Sequence, residues 1–333
     1  MMKYTKVMVA GAAIAAMAML AGCSGTAGAT DGADFPKKGS SIEWIVPSAA
    51  GAGNDVLARI VGPTMQESLG ANVKIVNKEG GSQIIGLNYA ANSKPDGYTM
   101  VYTNIPSILG RYLDPTKKAG FDRESFTPIG SFASNSIVIG VNKSSKYTTI
   151  TELFDAVKAA PGEISVGTDS RAGDDHVNLR ILEDELGLDF NIVHYNSGAD
   201  KIAALVSGEI DFALGGVSSF FGQYESGEVE ILTVINDEPS PFIPDVPTLA
   251  SAGYEVEPMN NNFAVSVPAD TPDAVVATLE ASLKAATEDP AVIEKLEGAA
   301  TQPEWVSADD IATLWAEREE TIKPIIDELL EEQ

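Results

Sequence analysis

The stretch Ile42-Glu43-Trp44-Ile45-Val46-Pro47-Ser48-Ala49-Ala50-Gly51-Ala52-Gly53-Asn54-Asp55-Val56-Leu57 decides the fold. It reads as a strand, a loop of small residues and the start of a helix. The apolar run 42–46 suits a strand, and Pro47 stops its ladder. From Asp55 onward Leu57, Ile60, Val61, Met65 and Leu69 recur at helical spacing, and Gly70 suits the left-handed residue that closes a helix. Pro63 falls inside this helix and predicts a kink. The first N–H groups of a helix lack intrahelical partners, and the helix dipole adds partial positive charge there. Small side chains in front of that end let an anion come close. The turn therefore predicts an anion site built on backbone donors.

Outward from this stretch, strand and helix alternate. Residues 73–77 read as a strand, 84–91 as a helix and 98–102 as a strand that ends at Thr103 and Asn104, with the Pro95-Asp96-Gly97 turn before it. Residues 126–142 are extended. A second series begins at Ile150: helix 153–159, strand 164–167, then a small polar loop from Thr168 to Asp175 that opens helix 176–186. Strand 191–195, helix 201–207, strand 210–214 and strand 231–234 follow. Beyond Pro247 come a strand at 263–268 and helices at 273–288, 290–297 and 308–330, the first with Thr271 at its N-cap and Pro272 at its first position. The alternation predicts α/β architecture with parallel sheets flanked by helices. Ligands of such sheets sit beyond the carboxyl ends of the strands, so two facing sheets would enclose a cleft lined by loops from both.

A chain of 333 residues, 44% hydrophobic and 21% charged, has material for about two domains. Its formal charge of −26 and its lack of any basic cluster exclude nucleic acid as a partner. Residues 1–22 carry the pattern of a secretory signal: Lys3 and Lys6, then an apolar run to Leu20. Leu20-Ala21-Gly22-Cys23 resembles a bacterial lipobox, which predicts cleavage before Cys23 and lipidation of that thiol. Cys23 is the sole cysteine, so it has no disulfide partner within the chain. The alternatives are an uncleaved anchor helix, or a plain signal with an incidental cysteine. Residues 23–39 read as a flexible tether.

Catalytic and metal signatures are sparse. The two histidines, His176 and His194, and the Asp174-Asp175-His176 run suit helix capping better than metal ligation. No Gly-x-Ser-x-Gly elbow and no P-loop occurs. Gly51-x-Gly53 is a broken dinucleotide fingerprint, with Val56 at the third glycine position, so no cofactor is expected. Asp55 reads either as a first-turn helix carboxylate or as a group that orients the loop or pairs with a cationic ligand. Arg171 reads either as a bidentate carboxylate ligand or as a surface arginine.

Residues 44–59 resemble the opening motif of the extracytoplasmic solute receptors of tripartite tricarboxylate transporters, the Bug-type binding proteins. Pro95-Asp96-Gly97-Tyr98-Thr99, His194-Tyr195-Asn196-Ser197-Gly198, Ser207-Gly208-Glu209 and Pro244-Asp245-Val246-Pro247-Thr248 are similar to further hallmarks, in the family's order. The resemblance implies a two-domain, periplasmic-binding-protein-like clamshell. Each domain would be a mainly parallel sheet flanked by helices. Domain 1 would take 40–138 plus 264–333 and domain 2 would take 143–255, with 137–141 and 263–267 as crossover strands. It further implies a small organic anion as ligand, a mono-, di- or tricarboxylate. Its carboxylate would meet the first loop, Ser48, Ala49, Ala50, Gly51, Gly53, Asn54 and Asp55. The opposing loop would supply Thr168, Ser170, Arg171, Ala172, Gly173 and Asp174. Thr103, Asn104, Tyr195, Asn196, Ser197, Gly216 and Val217 would line the rest of the cleft. The implied protein is a monomeric, lipid-anchored receptor outside the cell membrane. It serves a two-component membrane permease and is not an enzyme. An amino-acid receptor of another transporter class and an exported oxidoreductase are the competing readings. The chain departs from the family pattern at Ser48, Asp169, Arg171, Asp174, His194 and Asn260-Asn261-Asn262, positions that bear on ligand identity more than on fold.

Overall fold

The computed structural model describes residues 34–168, 171, 173–195 and 197–331. The expected signal and the lipidated Cys23 lie outside the described residues.

The first half of the chain forms β1 (Ser41–Val46), α1 (Gly53–Leu69), β2 (Asn72–Asn77), α2 (Ile84–Ala91), β3 (Thr99–Ile105), the one-turn α3 (Leu109–Tyr112) and β4 (Phe126–Asn142). The second series follows as α4 (Ile150–Ala159), β5 (Ser165–Thr168), α5 (Asp174–Leu186), β6 (Asn191–His194), α6 (Gly198–Ser207), β7 (Phe212–Gly216), α7 (Val217–Glu225) and β8 (Val229–Val234). The chain closes with β9 (Asn260–Pro268), α8 (Asp273–Thr287), α9 (Pro290–Gly298), β10 (Gln302–Val306) and α10 (Ala308–Glu331).

Parallel β2-β1-β3 is completed by β9, β4 and β10 running antiparallel to their neighbours. Parallel β6-β5-β7 forms the second sheet, with β4 and β8 antiparallel. The strand common to both is β4. Residues 126–136 of it pair with β9, and residues 137–142 pair with β7 and β8. A strand covered on both faces reads as a continuous run rather than an alternation, and β4 is buried over almost all of its 17 residues.

The chain crosses between sheets at two adjacent points. Ile137 N–H donates to Met259 O at 3.0 Å, Met259 N–H to Ile235 O at 2.9 Å, and Ile235 N–H to Ile137 O at 2.8 Å. This closed ring of backbone bonds marks the changeover between the sheets. The second crossover therefore lies at Met259–Asn260 and not at 263–267, because those five residues pair with β3 and with the first part of β4, in the first sheet.

Alternation on the strands sorts side chains between four cores. Trp44, Tyr102, Phe132 and Phe263 face α1, α8 and α9. Ile45, Val101 and Phe126 face the other way, toward Leu87 of α2 and Trp315 of α10. In the second sheet, Ile139, Phe212 and Leu214 meet Leu153 and Phe154 of α4, while Val138 and Ala213 meet Leu205 and Phe220.

Element boundaries differ from expectation where capping decides. Pro272, not Thr271, caps α8, and the Thr271 hydroxyl donates instead to Pro268 O at 2.7 Å. Helix α5 starts at Asp174, two residues early, and α6 at Gly198 under Ser197, whose hydroxyl accepts from Asp200 N–H. Helix α1 continues through Pro63. The helix α7 and the strand β10 had no counterpart in the sequence reading. Helix α7 follows the Gly215-Gly216 strand end without a loop, and β10 is broken by a register shift.

Phe132 is fully buried, and its ring meets Trp44 at 6.0 Å and Tyr102 at 5.9 Å, both edge-on. Phe132→Ala is expected to destabilise the protein by about 3–5 kcal/mol, measured by urea unfolding. A loss under about 1 kcal/mol would mean that this face repacks freely.

Candidate functional site

The loop from Pro47 to Ala52 is held from behind. Asp55, in the first turn of α1 and 2% exposed, accepts from Gly51 N–H at 2.8 Å, Arg59 Nε at 2.9 Å and Asn77 Nδ2 at 2.9 Å. Asn77, the last residue of β2, also donates to Ser48 O at 3.1 Å. The Arg59 hydrogen bond is the main cause that holds the Asp55 carboxyl down at about 2; Gly51 and Asn77 add to it, and burial opposes it. Asp55 thus orients the loop and has its oxygens occupied within it. Gly51 adopts φ +84°, a left-handed conformation that favours glycine. With its N–H turned back to Asp55, the forward-facing donors are those of the helix start, Gly53 and Asn54, which by position lack intrahelical acceptors.

These two residues line a cavity of about 520 Å³ between the sheets. Across it stand Asp174 in the first turn of α5, and Gly216, Ser218 and Ser219 at the start of α7. Three helix N-termini therefore border one space. Each adds partial positive charge, without a lysine. Asn135 of β4 braces the α7 start, its Nδ2 donating to Ser218 Oγ at 2.6 Å. A Cβ on Gly216 would lie 2.5 Å from that Nδ2, so the approach needs glycine.

Of the residues expected to form the site, Gly51, Gly53, Asn54, Asn104, Asp174 and Gly216 border this cavity. Ser48 is half-buried, with its hydroxyl lacking a partner among the described residues, and Ala49 and Ala50 are exposed on the loop. Strand alternation turns Thr103 away from Asn104, and its hydroxyl meets Ser266 Oγ at 2.8 Å in the core. Thr168 Oγ1 lies 2.7 Å from His194 Nδ1. Arg171 donates to Leu329 O of α10 at 2.8 Å, a bond between the domains. Gly173 caps α5, Ser197 caps α6, the Tyr195 hydroxyl donates to Glu209 at 3.0 Å, and Val217 is buried. Ser170, Ala172 and Asn196 lie outside the described residues. A second crevice of about 220 Å³ between α5 and α10 is bordered by Asp184, Glu185 and Glu257, which disfavour an anion.

Residues 57–330 match the sequence profile described as the tripartite tricarboxylate transporter family receptor. The chain belongs to that receptor family. A UPF0065 protein encoded in the tcbD-tcbE intergenic region of a Pseudomonas species is 30% identical over 266 residues, 79% of this chain and 77% of that one. Two solved structures share the fold. MatC of Rhodopseudomonas palustris with bound malate has a TM-score of 0.74 at 21% identity, covering 88% of this chain and 100% of that one. An R. palustris protein with adipate has a TM-score of 0.74 at 24% identity, covering 90% and 98%.

This solute receptor also borders its cavity with Asn261, from the Asn260-Asn261-Asn262 departure, and with residues that no motif signalled: Gln83, Ser107, Arg111, Asn135 and Ser218. Arg111 had one available signal: a single cation inside the apolar run 105–113. Behind the second loop, Lys201 of α6 pairs with Asp175 and donates to Leu214 O at 2.7 Å, tying α5 and α6 to the end of β7. The His176 and His194 rings meet at a tilt of 56°, with centroids 4.7 Å apart. Among the described residues, no group of three His, Cys, Asp or Glu side chains gathers to hold a metal.

Two pH windows follow. His176 is pushed down from 6.5 to about 3 by burial first, then by His194, Arg171 and Arg180. The unfolded chain takes up that proton first, so stability is full above pH 6.5 and falls as pH drops toward about 3. Asp55, lowered from 3.8 to about 2, contributes stability that is present above pH 3.8 and lost toward pH 2. His176→Gln is expected to flatten the fall that begins below pH 6.5. Asp55→Asn is expected to cost about 2 kcal/mol at neutral pH and to remove only the most acidic part of the slope. Melting temperature against pH measures both, and unchanged slopes would refute the assignments.

Proposed function

We propose that this receptor captures a small organic carboxylate between its two domains, performs no chemistry on it, and delivers it to a two-component membrane permease. The observation that carries this reading is the convergence of three helix N-termini on one interdomain cavity. Such donors supply local positive potential inside a chain of net charge −26. Family membership and the malate and adipate held by two proteins of the same fold support it. The mechanism is hinge closure. A ligand that touches α1 on one side and α5 and α7 on the other has more contacts in the closed form, and that differential affinity shifts the population toward closure. The domains of this reading are the expected 40–138 plus 264–333 and 143–255, adjusted so that Asn260–Phe263 join the first and Ile137–Val138 the second, and they bend at the ring formed by Ile137, Ile235 and Met259. The receptor acts as a monomer outside the cell membrane, anchored by lipid on Cys23.

A second reading, a ligand that also carries an ammonium group, is favoured by Asp174, the only carboxylate bordering the cavity among the described residues.

A thermal-shift screen of organic acids, amino acids and sugars tests both. A specific ligand at 100 times its Kd stabilises by about 2.7 kcal/mol. A response to a neutral sugar with none to any carboxylate would overturn the anion reading. Gly53→Asp has open space for its Cβ, with no atom within 4 Å, so the fold is expected to survive while the added charge abolishes carboxylate binding. Unchanged affinity would move the site elsewhere. Cys23→Ser is expected to release the protein from membranes, and continued retention would refute the lipid anchor.

A further inference from the structure

We propose that Arg111 holds a second acidic group of the ligand, so that the receptor prefers solutes with two acidic groups over solutes with one. The proposal rests on the carboxylate reading of the cavity and deepens it.

Arg111 sits in the single turn α3 between fully buried Leu109 and half-buried Tyr112, and is itself only 7% exposed. Its Nε has no hydrogen-bond partner among the described residues, and no described carboxylate lies within ion-pair distance of its guanidinium. The other arginines all meet an acceptor. Arg59 pairs with Asp55, Arg123 with Glu319, Arg180 with Glu183 and Arg318 with Glu257, and Arg171 donates to Leu329 O. The most deeply buried guanidinium is thus the one without a counter-charge. Burial of an unpaired cation is unfavourable by several kcal/mol in general, so an anion is expected to complete the arrangement.

The cavity supplies the place for that anion. Arg111 borders the same space as Gly53 and Asn54. Beside it, Asn104 and Asn261 each have a buried amide oxygen without a partner among the described residues. These amide oxygens are acceptors that suit a hydroxyl of the same solute, so the donor left for the anion is the Arg111 guanidinium. The guanidinium fork matches a carboxylate bidentately. With one carboxylate on the helix starts and another on Arg111, the bound solute is a compact dianion. Asp174 forms no ion pair with Arg111 and stands at the opposite domain's helix start, where it disfavours a third negative charge.

Calorimetric titration of the full chain with short linear diacids, succinate and glutarate, and with their half-amides, tests this. Wild-type protein is expected to bind a diacid at least about 30-fold more tightly than its half-amide. Arg111→Gln is expected to erase that preference by weakening the diacid far more than the half-amide, with Arg111→Lys recovering part of it. A structural role makes a different prediction for the unliganded protein. If Arg111 stabilised the fold, Arg111→Met would lower the melting temperature; the proposal expects it unchanged or raised, because an unpaired buried charge is removed. A preference that survives Arg111→Gln, or a lowered unliganded melting temperature in Arg111→Met, overturns the assignment. If wild type binds carboxylates but does not separate diacid from half-amide, Arg111 is refuted and the carboxylate reading stands. If only disulfonates bind, and Arg111→Gln loses them, the carboxylate reading fails and the Arg111 anion site stands. If no anion binds, both fail.

Discussion

Seventeen consecutive residues of β4 carry backbone bonds into two sheets at once, and the architecture depends on that strand. A buried backbone must keep its N–H and C=O groups paired. The chain can therefore change sheets only where new partners take over from old ones without a gap. Ser136 is the last residue paired with β9, and Ile137 the first paired with β7. The bonds among Ile137, Ile235 and Met259 satisfy the backbone at the changeover. Neighbouring Asn135 points into the cavity and braces the start of α7. The changeover between the sheets and one wall of the cavity are thus neighbours in sequence.

Electrostatics explain the rest of the site's chemistry. For the proposed anion, an acidic chain needs positive potential that its composition does not provide. Oriented peptide groups supply it from three directions, and side chains behind them keep them oriented. Asp55 is the clearest case. Its carboxylate faces away from the cavity and fastens Gly51 and Arg59, and Asn77 joins it to the loop through Ser48. Lys201 and Asp175 do the corresponding work behind the second loop. Both are charges used to place neutral donors. Arg111 is the one full positive charge that borders the cavity among the described residues.

The strand-loop-helix at 41–69 was legible because three local signals agreed there: an apolar strand, small loop residues and helical periodicity. Helix α2 was legible to its end residues. Helix α7 was not, because Gly215-Gly216-Val217-Ser218-Ser219 carries turn residues where tertiary packing of Phe220 holds a helix. Thr103 and Asn104 looked equivalent as neighbours, yet the pairing of β3 with β9 sends one into the core and the other to the cavity. Arg171 read as a ligand or a surface residue; it is exposed, and it donates to Leu329 O of α10.

The amino-acid sequence by itself determined the α/β class, the two βα series, the small-residue turn at 48–55 as an anion-friendly helix start, and the family. These follow from periodicity and from residue conformational preferences, which act over a few neighbours. Only the tertiary structure decided where the chain crosses between sheets, which loop residues share a cavity, and that Arg111 is buried there without a counter-charge. Those properties arise because residues far apart in the chain, such as Arg111 and Thr301, come to border one cavity. Burial and the loss of water give a side chain its energetic weight, and neither is a property of local sequence.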